Sequence, residues 1–198
     1  MLVAYAYSAW AVNLLMTDYG LGLGQAGMWF GISSGFGPVI GSLLLPALIR
    51  GTDFGSRVSS LMVICFTSLI VGTVIFVIAP IQPSVIVFLV CNLLGSILLF
   101  GVYSTVIVSM QFLANADYRA TLVAGVTFVG SGVGLGAGPP LVGYFSMILP
   151  GGQAAALSLL AALAGILSVT LLFVAWRAAA VSTSGDSAAD HRICESVK

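Results

Sequence analysis

Residues 85–112 read VIVFLVCNLLGSILLFGVYSTVIVSMQF, a run with no charged side chain. A helix needs about 20 apolar residues, each rising about 1.5 Å, to cross the hydrocarbon core of a bilayer. Because this run exceeds that length, it predicts a transmembrane helix. The whole chain agrees, since 60% of its 198 residues are hydrophobic and 6% are charged, against about 25% charged residues in soluble domains. A water-soluble globular protein is therefore excluded.

Further uncharged runs lie on both sides of this one, separated by polar or turn-rich breaks. We therefore predict an all-α membrane protein, a bundle of six transmembrane helices. The tail 177–198 is predicted to be polar, cytoplasmic and poorly ordered, because its composition changes to Ala, Ser and charged residues. The predicted spans are residues 1–16, 25–49, 58–79, 85–112, 121–145 and 154–176.

The basic residues predict the orientation of the chain. All of them lie in the second break, in the fourth break or after the last span, at Arg50, Arg57, Arg119, Arg177, Arg192 and Lys198. Lys and Arg are retained on the cytoplasmic side during insertion, so both termini are predicted to be cytoplasmic and the protein to lie in the cell membrane. The formal net charge is +0 and no basic run occurs, so nucleic acid is excluded as a partner.

The first predicted span is short and lacks a basic flank. It begins at Met1, and no Lys or Arg precedes Arg50. A secretory signal would show a basic segment and a small-residue cleavage site, and neither is present. We therefore expect this span to be a helix cut near its beginning, and the chain to be the C-terminal part of a longer protein.

Glycines spaced four residues apart occupy the second and fifth predicted spans. Small residues at this spacing let helix backbones approach closely in lipid, and prolines in the same spans predict bends. The sequence GVGLGA at 132–137 also matches a dinucleotide-binding pattern, but it lacks the strand that this motif requires before it. The longer rows are Gly27, Gly31 and Gly35, and Gly130, Gly134 and Gly138; the shorter rows are Gly37 and Gly41, and Gly132 and Gly136.

Three segments resemble the C-terminal half of a major facilitator superfamily transporter, with the spinster-like branch the most similar. Residues 111–120, QFLANADYRA, and 134–143, GLGAGPPLVG, resemble the penultimate helix of that family and the loop before it. Residues 19–27, YGLGLGQAG, resemble the start of its eighth helix. The resemblance implies one half of the family's fold, which works by alternating access against a second bundle.

The resemblance also implies where that second bundle would pack. In the family, the second and fifth helices of each half face the other half, so the glycine rows beginning at Gly27 and Gly130 are expected to pack between bundles. The partner is then either a missing N-terminal half or a second copy of the chain. The family's cytoplasmic loop signature is reduced here to residues 47–57, with altered spacing. Its expected gating residues are Arg50, Asp53, Arg57 and Arg119; the alternative is a solvated, positively charged loop.

The family's substrate cavity is lined by the first and fourth helices of each half. On the fourth span, Asn92, Ser96 and Tyr103 share one face at about 100° per residue. On the first span, Tyr5 shares a face with Ser8, and Asn13 shares a face with Trp10. The alternative is that these polar groups hydrogen-bond between helices. The expected substrate-binding residues are Tyr5, Asn13, Asn92, Ser96 and Tyr103.

The predicted spans contain no Asp, Glu, Lys, Arg or His away from their ends. Ion-coupling residues, which are functional by default inside a membrane, would then lie in a missing half; otherwise the substrate is neutral or amphiphilic. The only histidine, His191, is in the tail, so no catalytic triad can be assembled, and His191 with Cys194 is too small a set for zinc. We expect no enzyme activity, no cofactor and no metal.

Two classes of function remain open from the sequence. The first is a secondary-transporter half that moves a small molecule across the membrane. The second is a six-span scaffold or regulatory subunit that moves nothing; a homodimeric half-transporter is a variant of the first. Substituting Asn92 or Tyr103 would change solute flux in a transporter and only assembly in a scaffold.

Overall fold

The computed structural model describes residues 1–49, 54–113 and 116–196, and every regular element in them is helical. The predicted all-α class is therefore confirmed. Five of the helices are long and apolar enough to cross a membrane, whereas the first is apolar but shorter. The helices are α1 (Leu2–Thr17), α2 (Leu23–Ile49), α3 (Phe54–Ile78), α4 (Val85–Leu113), α5 (Arg119–Ile148) and α6 (Gly152–Ser196), with 3-10 turns at Ala79–Ile81 and Ala116–Tyr118.

The helix boundaries differ from the predicted spans at two places. Helix α3 begins at Phe54, so Arg57 lies in its first turn rather than before it. Helix α6 continues to Ser196, so residues 177–196 are helical where we expected a poorly ordered tail. The three alanines that follow Arg177 favour helix by propensity, whereas the residues from Val181 to Gly185 do not.

The helix contacts are symmetrical. If α1 is exchanged with α4, α2 with α5 and α3 with α6, the same pairs of helices are in contact. Helix α2 packs along α4, and α1 packs along α5, which is the exchanged pair. Helix α3 packs on α4, and α6 packs on α1, which is again the exchanged pair. The contact between α3 and α6 is unchanged by this exchange, because the two helices correspond to each other. The chain can thus be divided into two three-helix units whose helices contact corresponding partners, although α5 packs on α6 far more extensively than α2 packs on α3.

Glycines set the close approach of α2 to α4. A Cβ atom on Gly37 would lie 2.6 Å from the Cβ of Ser96, and one on Gly41 would overlap the backbone carbonyl of Ile97. On the other side of the crossing, a Cβ on Gly101 would lie 3.0 Å from the carbonyl oxygen of Gly41. These backbones touch because no side chain separates them.

Glycines also allow the equivalent pair of helices, α1 and α5, to pack closely. A Cβ atom on Gly134 would lie 2.7 Å from the ring of Tyr5, and one on Gly138 would lie 3.0 Å from the carbonyl oxygen of Leu2. Further along, the indole nitrogen of Trp10 donates a hydrogen bond of 2.9 Å to the carbonyl of Pro139. The helices α1 and α5 are thus joined along much of the length of α1.

Two prolines leave backbone carbonyls without their usual helical donor, and side chains from other helices supply one. Pro46 has no N–H for the carbonyl of Ser42, four residues earlier, and the Ser104 hydroxyl on α4 donates to it at 3.3 Å. Pro80 likewise frees the carbonyl of Phe76, which accepts a hydrogen bond from the buried Tyr7 hydroxyl on α1. Such replacement donors are what make proline tolerable in membrane helices.

Candidate functional site

A cavity of about 260 Å³ lies where α1, α2, α3 and α4 meet. It brings together three of the predicted substrate-binding residues, Tyr5, Asn92 and Ser96, from helices that are far apart in sequence. Its remaining walls are mostly aromatic or small, and include Ser8, Phe30, Ser34, Pro38, Phe76 and Phe100. Because α1 and α4 begin the two three-helix units, the cavity lies at their junction.

Asn92 both joins helices and lines the cavity. The residue is only 2% exposed, and its side-chain nitrogen donates a hydrogen bond of 3.0 Å to the Ser33 hydroxyl on α2. Ser33 in turn donates to the carbonyl of Phe30 at 3.0 Å. The Oδ1 oxygen of Asn92 accepts no hydrogen bond from the described residues. The interhelical alternative therefore accounts for one end of this amide, and the other end remains available to a ligand.

Ser96 lies one turn beyond Asn92 on the same face of α4. It is 5% exposed and lines the cavity. Within the described part of the chain, its hydroxyl makes no hydrogen bond. Gly37 of α2 lies directly beside it, and this contact fixes its backbone position. Ser96 is thus a largely buried residue whose hydroxyl keeps free donor and acceptor capacity.

Tyr5 forms the α1 wall of the cavity. Its hydroxyl donates a hydrogen bond of 3.4 Å to Ser131 on α5, and its ring rests on the α5 backbone at Gly134. Ser8, one turn further on, lines the same cavity and donates to the Tyr5 carbonyl at 2.9 Å. The glycine at position 134 is therefore what allows the Tyr5 ring to occupy this place.

Tyr103 and Asn13 lie apart from this cavity. Tyr103 lines two neighbouring cavities, of about 490 Å³ between α2, α4 and α5 and about 340 Å³ between α1, α3, α4 and α6. Asn13 lies towards the other end of α1, where its backbone carbonyl accepts a hydrogen bond of 3.0 Å from Thr17. Three of the five predicted binding residues therefore converge, and two do not.

Phe100 is a site residue that the sequence analysis did not identify. It lines the 260 Å³ cavity and both of its larger neighbours. Its position, eight residues after Asn92 and four after Ser96, places it on the same face of α4, and this spacing would have been enough to find it. Only polar residues were predicted to bind substrate, so this aromatic residue, which lines all three cavities, was missed.

The glycine rows divide between the interior of the molecule and its open surface. Extra Cβ atoms on Gly27, Gly31 and Gly35 would meet nothing within 4 Å, so this row is unpartnered. In contrast, Gly134 and Gly138 pack on α1, and Gly130 lies near Met1. On α5 the open positions are instead Gly132 and Gly136. On α2, the glycine row predicted to pack between bundles is open to a partner. On α5, the open row is that of Gly132 and Gly136, not the predicted row beginning at Gly130.

Most of the predicted gating residues lie outside the residues that the structure describes. Arg50 and Asp53 are outside the described residues, and the side chain of Arg57 is outside them as well. Arg119 begins α5 and lines a cavity of about 510 Å³ together with Gln111 and Thr127. Among the residues that the structure describes, no group of three or more His, Cys, Asp or Glu side chains is placed to hold a metal ion.

These observations describe an all-helical protein with five helices apolar and long enough to cross a membrane, and with a cavity of polar and aromatic side chains at the junction of two three-helix units. Comparison with protein-family models, with curated proteins and with solved structures finds no match to the chain. The likeness to major facilitator transporters therefore rests on the sequence segments 19–27, 111–120 and 134–143. What the protein does has to be argued from its own geometry.

Proposed function

We propose that this chain is one half of a secondary transporter of the major facilitator type, which moves a small molecule by alternating access. The observation that supports this most is the exchange relation between α1–α3 and α4–α6, with a polar cavity at their junction. Repeated three-helix units around a central site are characteristic of these transporters. The proposal places six spans in the cell membrane with both termini cytoplasmic, and it assigns the protein no enzymatic reaction.

The open glycine rows support a second bundle as partner. Gly27, Gly31 and Gly35 meet nothing within 4 Å on α2, and Gly132 and Gly136 meet nothing on α5. Glycine inside a helix costs about 1 kcal/mol relative to alanine, so rows of this kind are expected where another helix packs closely. We assign these rows to contact with an N-terminal half or with a second copy of the chain.

Alternating access can be tested without knowing the solute. The full chain is expressed in membranes with Cys65, Cys91 and Cys194 replaced by alanine and with Ser96→Cys as the only thiol. A membrane-impermeant thiol reagent is then applied from each side of sealed vesicles in turn. A transporter assembled from two copies of this chain exposes the cavity to both sides in succession, so we expect Cys labelling from either side.

A matched control is Val142→Cys, since Val142 on α5 is fully buried in the core of the described structure. This variant is expected to resist the reagent from both sides. Labelling of the Ser96→Cys variant from one side alone, or from neither, would contradict alternating access and would favour the scaffold. Equal labelling of both variants would show that the protein had unfolded, and the experiment is therefore run alongside a thermal unfolding measurement.

A further inference from the structure

We infer that the protein binds an organic carboxylate, an anion with one negative charge on an apolar body, where α4 ends and α5 begins. This inference rests on the proposed transport function, because it names the class of solute. It starts from two cavities, of about 510 Å³ and about 490 Å³, that adjoin because Val123 and Thr127 of α5 line both. The first is lined by a charged side chain, and the second mostly by apolar ones.

The charged end of this space is formed by Arg119 on α5 and Gln111 on α4. Arg119 also interacts within the chain, but a guanidinium carries five N–H donors and can bind a carboxylate through two of them. The Gln111 amide supplies further donors. Among the described residues that line either cavity, Arg119 alone has a charged side chain; Asp117 lies two residues before it and lines neither.

The sign and size of this charge select the ligand. One guanidinium balances one negative charge, which is what a carboxylate carries at neutral pH. A phosphate monoester carries about −1.5 to −2 and would need a second cation, whereas an ammonium group would be repelled. We therefore assign the site to a monoanion with the planar, two-oxygen geometry of a carboxylate.

The second cavity provides a place for the apolar body. Its walls include the side chains of Phe100, Ile107 and Val108. The hydroxyls of its two serines, Ser42 and Ser104, already donate hydrogen bonds to backbone carbonyls. The cavity therefore offers a ligand mainly contact with carbon atoms, which favours an aliphatic chain or a ring.

The separation of the two ends indicates the length of the ligand. Gln111 and Tyr103 lie eight residues apart on α4, and Arg119 and Thr127 lie eight residues apart on α5. Eight residues correspond to about 12 Å along a helix. A ligand whose carboxylate pairs with Arg119 can therefore carry a short chain and one ring, and place that ring near Tyr103.

The space opens on the side that we assign to the second bundle. On α2, Gly31, Gly35, Pro38 and Ser42 follow one another at steps of three or four residues, which places them on one face. Gly31 and Gly35 are open, whereas Pro38 and Ser42 line the apolar cavity. A second bundle packed on this glycine row would close the cavity and enclose the ligand between the two bundles.

Three probes of nearly equal size test the selection of charge: 4-(4-fluorophenyl)butanoate, the corresponding alcohol and the corresponding ammonium ion. Their binding to the purified full chain in non-ionic detergent micelles is followed by fluorine NMR, with empty micelles as the reference for partitioning. We expect the carboxylate to bind saturably and about tenfold or more tightly than the alcohol, because hydrogen bonds to charged groups are the stronger ones. The ammonium ion should not bind.

Substitution of the arginine tests the position of the ligand. Arg119→Gln removes the charge and should weaken carboxylate binding about tenfold, and Arg119→Lys, which keeps the charge, should restore part of it. Arg177→Gln is the matched control, since Arg177 lies over the Phe173 ring of α6 and lines neither cavity. It should leave binding unchanged. If Arg119→Gln does not fold, Ala120→Asp adds a carboxylate to the same cavity at a helix start, where acidic residues are stabilising, and should weaken binding likewise.

The opposite results overturn the assignment. Equal binding of the alcohol or of the ammonium ion would show that negative charge is not selected. Carboxylate binding that survives in a folded Arg119→Gln protein, or that Arg177→Gln weakens equally, would place the ligand elsewhere. The NMR experiment needs no transport and the thiol experiment needs no ligand, so failure of this inference and failure of the proposed function can be told apart.

Discussion

The hydroxyl of Tyr7 on α1 donates a hydrogen bond to the carbonyl of Phe76 on α3, the very carbonyl that Pro80 leaves without a helical donor. The two rings also pack edge to face, with centroids 4.7 Å apart. Tyr7 thus joins α1 to α3 and supplies the hydrogen-bond donor that is missing at the end of α3. This contact lies beside the cavity, because Tyr7 and Phe76 both line it.

Removing this hydroxyl should destabilise the fold. Tyr7→Phe keeps the ring but leaves the Phe76 carbonyl buried without a donor, which we expect to lower the free energy of unfolding by about 1 kcal/mol. The measurement is denaturant unfolding in mixed micelles. Tyr144→Phe is the matched control, since Tyr144 is 61% exposed and should change little. Equal effects of the two substitutions would show that the hydrogen bond contributes nothing.

The two glycine rows of α2 should respond oppositely to substitution. Gly41→Ala places a methyl group into the Ile97 carbonyl and should push α2 away from α4, with a loss of several kcal/mol or failure to fold. Within a single chain, Gly31→Ala adds the same methyl into open space and should leave the stability of that chain's own fold unchanged or slightly raised, because alanine favours helix. Thermal unfolding of both variants checks this, and similar melting temperatures would contradict the packing described for α2 and α4.

The sequence predicted where the helices lie along the chain, but not which face of each helix points into the protein. Uncharged runs located the helices to within a few residues, except that α6 continues to Ser196, well past its predicted end at residue 176, since hydrocarbon excludes charge only along the span itself. Lipid and protein interior are equally apolar, however, so hydrophobic periodicity does not show which side of α2 faces inward. That is why Gly37 and Gly41, rather than Gly31, turned out to face α4.

The candidate site shows the same limit. Helical spacing grouped Asn92 with Ser96 on α4, and the structure places them together in one cavity. The same spacing added Tyr103, which instead lines the two neighbouring cavities. Tyr5 was included only through the family resemblance, since no pattern within α1 predicts that it meets α4. Contacts between distant helices depend on packing that a single sequence does not encode locally.

Alkaline pH should weaken the contact between two connections of the fold. Tyr19, in the turn after α1, donates a hydrogen bond to the carbonyl of Gln82 before α4. Burial, and secondarily the carboxylate of Asp18, raise the pKa of Tyr19 above its ordinary value. The unfolded chain therefore loses this proton first, near pH 10, and the free energy of unfolding should fall as the pH rises from there.

Replacing Tyr19 by phenylalanine should remove part of that alkaline loss. At neutral pH the variant should be less stable, because the hydrogen bond to Gln82 is gone. Tyr118→Phe serves as control, since Tyr118 is 67% exposed, and it should retain the full dependence on pH. Unfolding midpoints measured from about pH 8 to pH 11 compare the three proteins. If Tyr19→Phe and the parent chain lose stability in parallel, Tyr19 does not contribute to the titration.

Phe100 should act as a partition between the cavities. Because its ring lines the 260 Å³ cavity and both neighbours, Phe100→Ala should join them into one continuous space. In the background where Ser96→Cys is the only thiol, we expect the rate of modification by the impermeant reagent to rise several-fold, since the thiol then opens onto larger compartments. Phe128→Ala on α5 is the control, because Phe128 is 80% exposed and borders none of the three. An unchanged rate in a folded Phe100→Ala protein would mean that access to Ser96 is limited elsewhere, and the partition would have to be sought on α1 or α2.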